Sequence, residues 1–179
     1  MTDPSASSTP SAPRKGPGLP LPARDGEEIE FERTLPARTD RLHTLTRQRI
    51  RALDVLFEAD ARRLPVLEVL TERLRVTAAQ TPLPERAREL VEGYAEHAEE
   101  VDDQLETHSR DWPLHRMPAV DRAILRLGAA EVLFDTEASD RGPVIGEYTK
   151  IAEALSTDDS PRFVNGLLQR LVDVQGLLG

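Results

Sequence analysis

Cysteine is absent from the 179 residues, which excludes disulfides, thiol nucleophiles and thiolate metal sites and fits a reducing compartment. Aromatic residues are scarce, with one Trp, two Tyr and four Phe, so a core must be built mainly from Leu, Val, Ile and Ala. No apolar run approaches the roughly 20 residues that span a bilayer. The first residues lack the apolar stretch of a secretion signal. A cytoplasmic protein is therefore expected. Gly-rich phosphate loops and nucleophile elbows are missing as well. The four histidines (43, 97, 108, 115) show no metal-ligand spacing, and His97 and His108 are expected on an exposed, acidic helix. Adjacent Asp102 and Asp103 point apart on a helix and suit a solvated face better than acid–base chemistry. No catalytic residue, metal or cofactor is expected.

What is present is charge, unevenly placed. The net charge of −9 argues against coating long duplex nucleic acid. Between Arg33 and Arg51, however, six arginines (33, 38, 41, 47, 49, 51) face a single acid, Asp40. An acidic stretch follows later, with Glu96, Glu99, Glu100, Asp102, Asp103 and Glu106 close together. A local basic arm on an acidic body suits a short nucleic-acid segment.

Residues 1–36 are rich in Pro, Ser and Gly, cannot bury enough apolar surface to offset ordering entropy, and are expected to form a disordered tail. From there to residue 179 every apolar pattern is helical. A first helix over roughly 41–60 turns Ile50, Leu53, Leu56 and Phe57 to one stripe. Pro65 opens a second, with Val66, Leu67, Val69, Leu70 and Leu74 inward. Thr81-Pro82 starts a long third helix running to His108. Pro118 opens one through Phe134, Gly142-Pro143 the next, and Ser160-Pro161 the last, with Gly176 as its stop. The fold class is all-α, a compact bundle of six or seven helices.

Two stretches carry candidate chemistry. Ser160 can cap the last helix, and Pro161 fits its first position. Phe163, Val164, Leu167, Leu168 and Leu171 then recur at helical spacing. The helix mouth, with Arg162 and Phe163, could hold a phosphate-bearing ligand; the alternative is a capped core helix with Phe163 buried. Asp158 and Asp159 favour the positive end of the helix dipole. In the first helix, Arg47 and Arg51 share a face and repel one another mildly. That cost, at a helix start, suggests either a solvated face or an external anion. Arg126 lies among Ile124, Leu125 and Leu127 and is either a paired structural arginine or a phosphate ligand.

Three segments resemble the NusB family of bacterial transcription antitermination factors. The run from Arg47 through Arg49 and Arg51 to Phe57 is similar to the family's arginine-rich first helix, with Asp54 where glutamine is common. Trp112 to Glu131, including Arg116, Asp121, Arg122, Arg126 and Gly128, follows its central motif. Pro143 to Glu147 and Ser160-Pro-Arg-Phe-Val-Asn-Gly166 follow its C-terminal motif. The resemblance covers about residues 45–175.

It implies an all-helical fold of two small sub-bundles and a role in RNA binding rather than catalysis. The family reads single-stranded boxA RNA together with NusE, a small-subunit ribosomal protein, and helps RNA polymerase through terminators in ribosomal RNA operons. Carried over by position, the RNA-binding residues are Arg47, Arg49, Arg126, Asp159, Ser160, Arg162 and Phe163. The NusE-binding residues are Leu114, Met117, Pro118 and Asp121. Gly146 stands where asparagine is usual and Glu153 where lysine is common. Weak RNA binding alone, rescued by NusE, is the expectation. The alternative is a helical interaction module or homodimer with a weakened RNA face.

Overall fold

The computed structural model describes residues 42–75, 81–109 and 112–178. The expected tail, and with it Arg33, Arg38 and Arg41, lies outside the described residues. Among the described residues seven α-helices follow in order: α1 (Thr44–Arg62), α2 (Val66–Leu74), α3 (Glu85–Glu96), α4 (Ala98–His108), α5 (Ala119–Phe134), α6 (Arg141–Leu155) and α7 (Ser160–Leu178). Single 3₁₀ turns at Leu114–Arg116 and Ala138–Asp140 precede α5 and α6. Among the described residues there is no strand, and no helix is long and apolar enough to cross a membrane.

Helix α5 forms the axis. Its Ala123, Ile124, Leu125, Leu127, Ala129, Ala130 and Val132 are all buried, because its apolar residues run round the helix rather than along one stripe. On one side it meets α1 and α3, which pack with α2; on the other it meets α4, α6 and α7. The two sub-bundles share this helix.

Proline sets several starts. Pro65, Pro84 and Pro118 each stand just before a helix, where a missing N–H costs no hydrogen bond. Helix α1 ends on Arg63, left-handed at φ 56°, with the Leu64 N–H returning 3.0 Å to the Ala59 carbonyl. Glycine is the usual residue for this cap.

Four expectations need correction. The long helix expected over 81–108 is two helices, broken at His97. No proline or glycine marks the break, so the periodicity reads through it. Tertiary packing imposes it: α3 lies on α1, α2 and α5, whereas α4 lies on α5 and α7. The His97 ring stacks on Phe134 with centroids 3.9 Å apart, so it is not the exposed histidine expected. Phe57, Leu67 and Leu74 were expected inward but are 40, 50 and 45% exposed. Gly176 does not stop α7, which runs on to Leu178.

Gly128 shows how tightly α5 is packed. A Cβ there would sit 3.0 Å from Leu168 Cδ1 and 3.1 Å from Tyr148 Cγ. Tyr148 is fully buried and its hydroxyl donates to Glu131 at 2.6 Å, so its ring cannot retreat freely. Gly128→Ala is expected to destabilise the fold by about 1–3 kcal/mol, read as a lower urea midpoint at unchanged slope.

Candidate nucleic-acid interface

The residues expected to act together separate into two groups. Arg49 and Arg126, both expected at the RNA, have their guanidinium groups engaged inside the protein. Arg49 is only 8% exposed. Its Nε and Nη2 donate to Glu131 at 2.9 and 2.6 Å, and it stands over the Tyr148 ring. Burial pulls its pKa down, but the bonds and charge of Glu131 outweigh this and raise it. Glu131 accepts further from Arg86 at 3.1 Å and from Tyr148 at 2.6 Å. Burial first, and the Glu131 charge second, push the Tyr148 phenol well above its ordinary value.

Arg126 takes the paired form of its two sequence alternatives. Its Nε and Nη2 grip Asp102 at 2.8 and 2.7 Å, and Nη1 reaches Asp60 at 3.3 Å. Asp60 also accepts from Arg122. Burial alone would raise the Asp60 pKa, but the Arg122 hydrogen bond and the charges of Arg122 and Arg126 bring it below the usual carboxylate range. Burial pushes the nearby Tyr94 phenol up to about 12.

Three residues expected to meet a partner protein are buried. Leu114 and Met117 lie in the core, and Asp121 is 0% exposed; Pro118 is on the surface. Asp121 accepts from the Ser160 hydroxyl at 2.9 Å. Ser160, expected as an N-cap and RNA contact, is itself buried and is the first residue of α7. Its single hydroxyl proton goes to the carboxylate, the stronger acceptor. Thr157 and Ser156 hydroxyls lie 2.8 and 3.0 Å away. The pair pins the start of α7 to the start of α5.

What that pin presents is a groove of about 620 Å³ between the end of α4 and the start of α7. Asp159, Arg162 and Phe163 line it, as do His108, Trp112, Gly166 and Arg170. Asp159 and Arg162 are exposed and Phe163 is half-buried, between the two sequence alternatives. Its ring leans on Trp112 with centroids 5.3 Å apart and planes at 51°. The indole N–H donates to the Arg116 carbonyl at 3.2 Å, and Ser109 Oγ donates to the Trp112 carbonyl. Arg170 donates to the His108 carbonyl at 2.7 Å. The Arg162 side chain makes no hydrogen bond or ion pair among the described residues. On a chain of net charge −9, two arginines beside two aromatic rings form a local cationic, apolar seat.

Arg47 is exposed on α1, outside the residues that line the groove. Sequence reasoning missed Trp112, Gly166 and Arg170 as parts of this site. One signal was available: Arg162, Gly166 and Arg170 recur every four residues and so share a helix face.

Two outcomes follow for the engaged arginines. Arg49→Met is expected to cost about 3 kcal/mol, the low end for a broken buried pair, since Arg86 still reaches Glu131; a contact with external phosphate would instead leave stability unchanged. The depressed Asp60 pKa contributes stability above the unfolded carboxyl value of about 3.9, lost as pH falls through the folded value. Denaturation midpoints are therefore expected to drop as pH falls below about 4, and Asp60→Asn to flatten that drop.

The NusB family model matches residues 46–173. The transcription antitermination protein NusB of Kineococcus radiotolerans is 48% identical over 130 residues, spanning 73% of this chain and 93% of that protein. A solved structure of T. maritima NusB superposes with a TM-score of 0.61 at 30% identity, covering 73% of this chain and 92% of that one. A crystal structure of antitermination factors NusB and NusE in complex with dsRNA gives 0.60 at 26% identity, covering 74% and 99%. The chain belongs to the NusB family.

Proposed function

We propose that this protein is a transcription antitermination factor that binds boxA-type single-stranded RNA together with NusE and supports ribosomal RNA transcription. The observation that carries the reading is the groove where Trp112 meets Phe163 beside Arg162 and Arg170. Single-stranded RNA is recognised by stacking unpaired bases on aromatic or guanidinium planes and by hydrogen bonds to base edges. The groove offers both surfaces. Arg162 and Arg170 neutralise phosphate; Asp159 can accept from a base amino group; Phe163 stacks. Exposed Arg47 extends the cationic contact along α1. Arg126 and Ser160 act indirectly, by holding α4 and the start of α7 to α5, and Arg49 ties α1 to the same helix.

The reading is of a binding factor in the cytoplasm, not of an enzyme. Its support is the family membership and the character of the groove, which pairs cations with rings and whose hydroxyl, Ser109, is engaged with the Trp112 carbonyl. For NusE, Pro118 remains as the exposed member of the set read from the sequence. The exposed Phe57 on α1 adds an apolar side chain of the kind that anchors protein partners.

Labelled boxA RNA titrated with and without NusE tests the reading. Affinity is expected to be higher with NusE and to fall with salt, with a log–log slope of about −0.7 per phosphate neutralised. Phe163→Ala is expected to cost roughly 1–3 kcal/mol of RNA binding with the thermal transition retained. Undetectable or salt-independent binding in the presence of NusE overturns it.

A further inference from the structure

We propose that Trp112 and Gly166 complete a two-nucleotide seat, the indole as a second stacking face and the glycine as a gap that lets RNA lie against the α7 backbone. The proposal rests on the RNA reading above and gives Trp112 and Gly166 roles that the reading leaves open.

Gly166 is the first observation. A glycine inside a helix is less stable than alanine at the same place, so its presence calls for a cause. Conformation supplies none, because Gly166 lies inside α7 with no positive φ. Packing supplies none either, since a Cβ at Gly166 would meet nothing within 4 Å; the same holds at Gly93, Gly142, Gly146 and Gly176, and of these five Gly166 is the one that lines the groove. Gly128 differs, being filled against Tyr148 and Leu168. Gly166 opens onto the groove, one turn from Arg162 on one side and from Arg170 on the other. The two arginines stand about 12 Å apart along the axis at 1.5 Å per residue, with the bare backbone between them. Cations flanking a gap suit a phosphodiester strand with a nucleotide lying in the gap.

Trp112 is the second. It is 36% exposed, although large aromatic rings are usually well covered. Both its backbone carbonyl and its indole N–H are bonded locally, so the ring is held in place. At 5.3 Å the two rings leave no room for a base between them. Bases must stack on their outward faces, which the 51° tilt turns in different directions. Consecutive bases seated there are splayed, which a single strand tolerates and a duplex does not.

The sole tryptophan of the chain makes the test direct. The full chain with NusE is titrated with a fluorescein-labelled boxA RNA, and indole emission is followed in parallel, with Trp112→Phe as the blank for any NusE signal. Wild-type emission is expected to be quenched on binding. Trp112→Ala is expected to weaken binding roughly tenfold or more, with Trp112→Phe restoring most of it. Gly166→Leu is expected to weaken binding by a similar factor while the melting temperature stays level or rises by about 2–4 °C. Wild-type binding with unquenched emission and unchanged affinity in both variants overturns the seat and leaves the RNA reading standing. A lowered melting temperature in Gly166→Leu overturns the role given to the glycine. Absence of wild-type binding removes the RNA reading, and the seat with it.

Discussion

The fold depends on one buried carboxylate. Glu131, in the last turn of α5, is 2% exposed and accepts from Arg49 on α1, Arg86 on α3 and Tyr148 on α6. A charge so placed is tolerated only when paired and hydrogen-bonded. Three donors on three helices meet that demand together. Shifting any of α1, α3 or α6 against α5 leaves part of the charge unpaired, and the apolar packing of Leu, Val and Ala side chains alone imposes no such penalty on sliding. The network therefore fixes relative helix positions more than it adds raw stability.

The same helix fixes the groove. Arg126 on α5 holds α4 through Asp102, and Asp121 on α5 holds the start of α7 through Ser160. Those two elements are the walls between which Trp112, Phe163, Arg162 and Arg170 stand. A site whose rims are anchored to one rigid helix loses little freedom on binding, and that preorganisation favours affinity. Motif residues thus divide by depth. Arg49, Arg126, Asp121 and Ser160 support, whereas Asp159, Arg162 and Phe163 face outward.

Much of the fold was legible because its signals are local. Prolines at 65 and 118 and the 3.6-residue spacing of Leu, Val and Ile mark five helices without reference to anything distant. The break at His97 was illegible, since it answers to where α3 and α4 pack and not to their own residues. Phe57, Leu67 and Leu74 misled in the same way: helical spacing identifies an apolar face but not whether a neighbour covers it. In the site, the last motif was legible in Arg162 and Phe163. Which arginines were internally paired was not, because Glu131 lies 82 residues from Arg49 and Asp60 lies 66 from Arg126. Sequence reasoning could pose the alternatives for Arg126; only the placement of Asp102 and Asp60 decides between them.

The most direct measurement is photo-crosslinking of boxA RNA carrying 5-iodouridine to the full chain with NusE, with adducts mapped by mass spectrometry. Adducts on Phe163 or Trp112 are the expected result. Adducts confined to the α1–α2 surface around Phe57 and Leu67, with none in the groove between α4 and α7, would contradict the assignment of RNA to that groove.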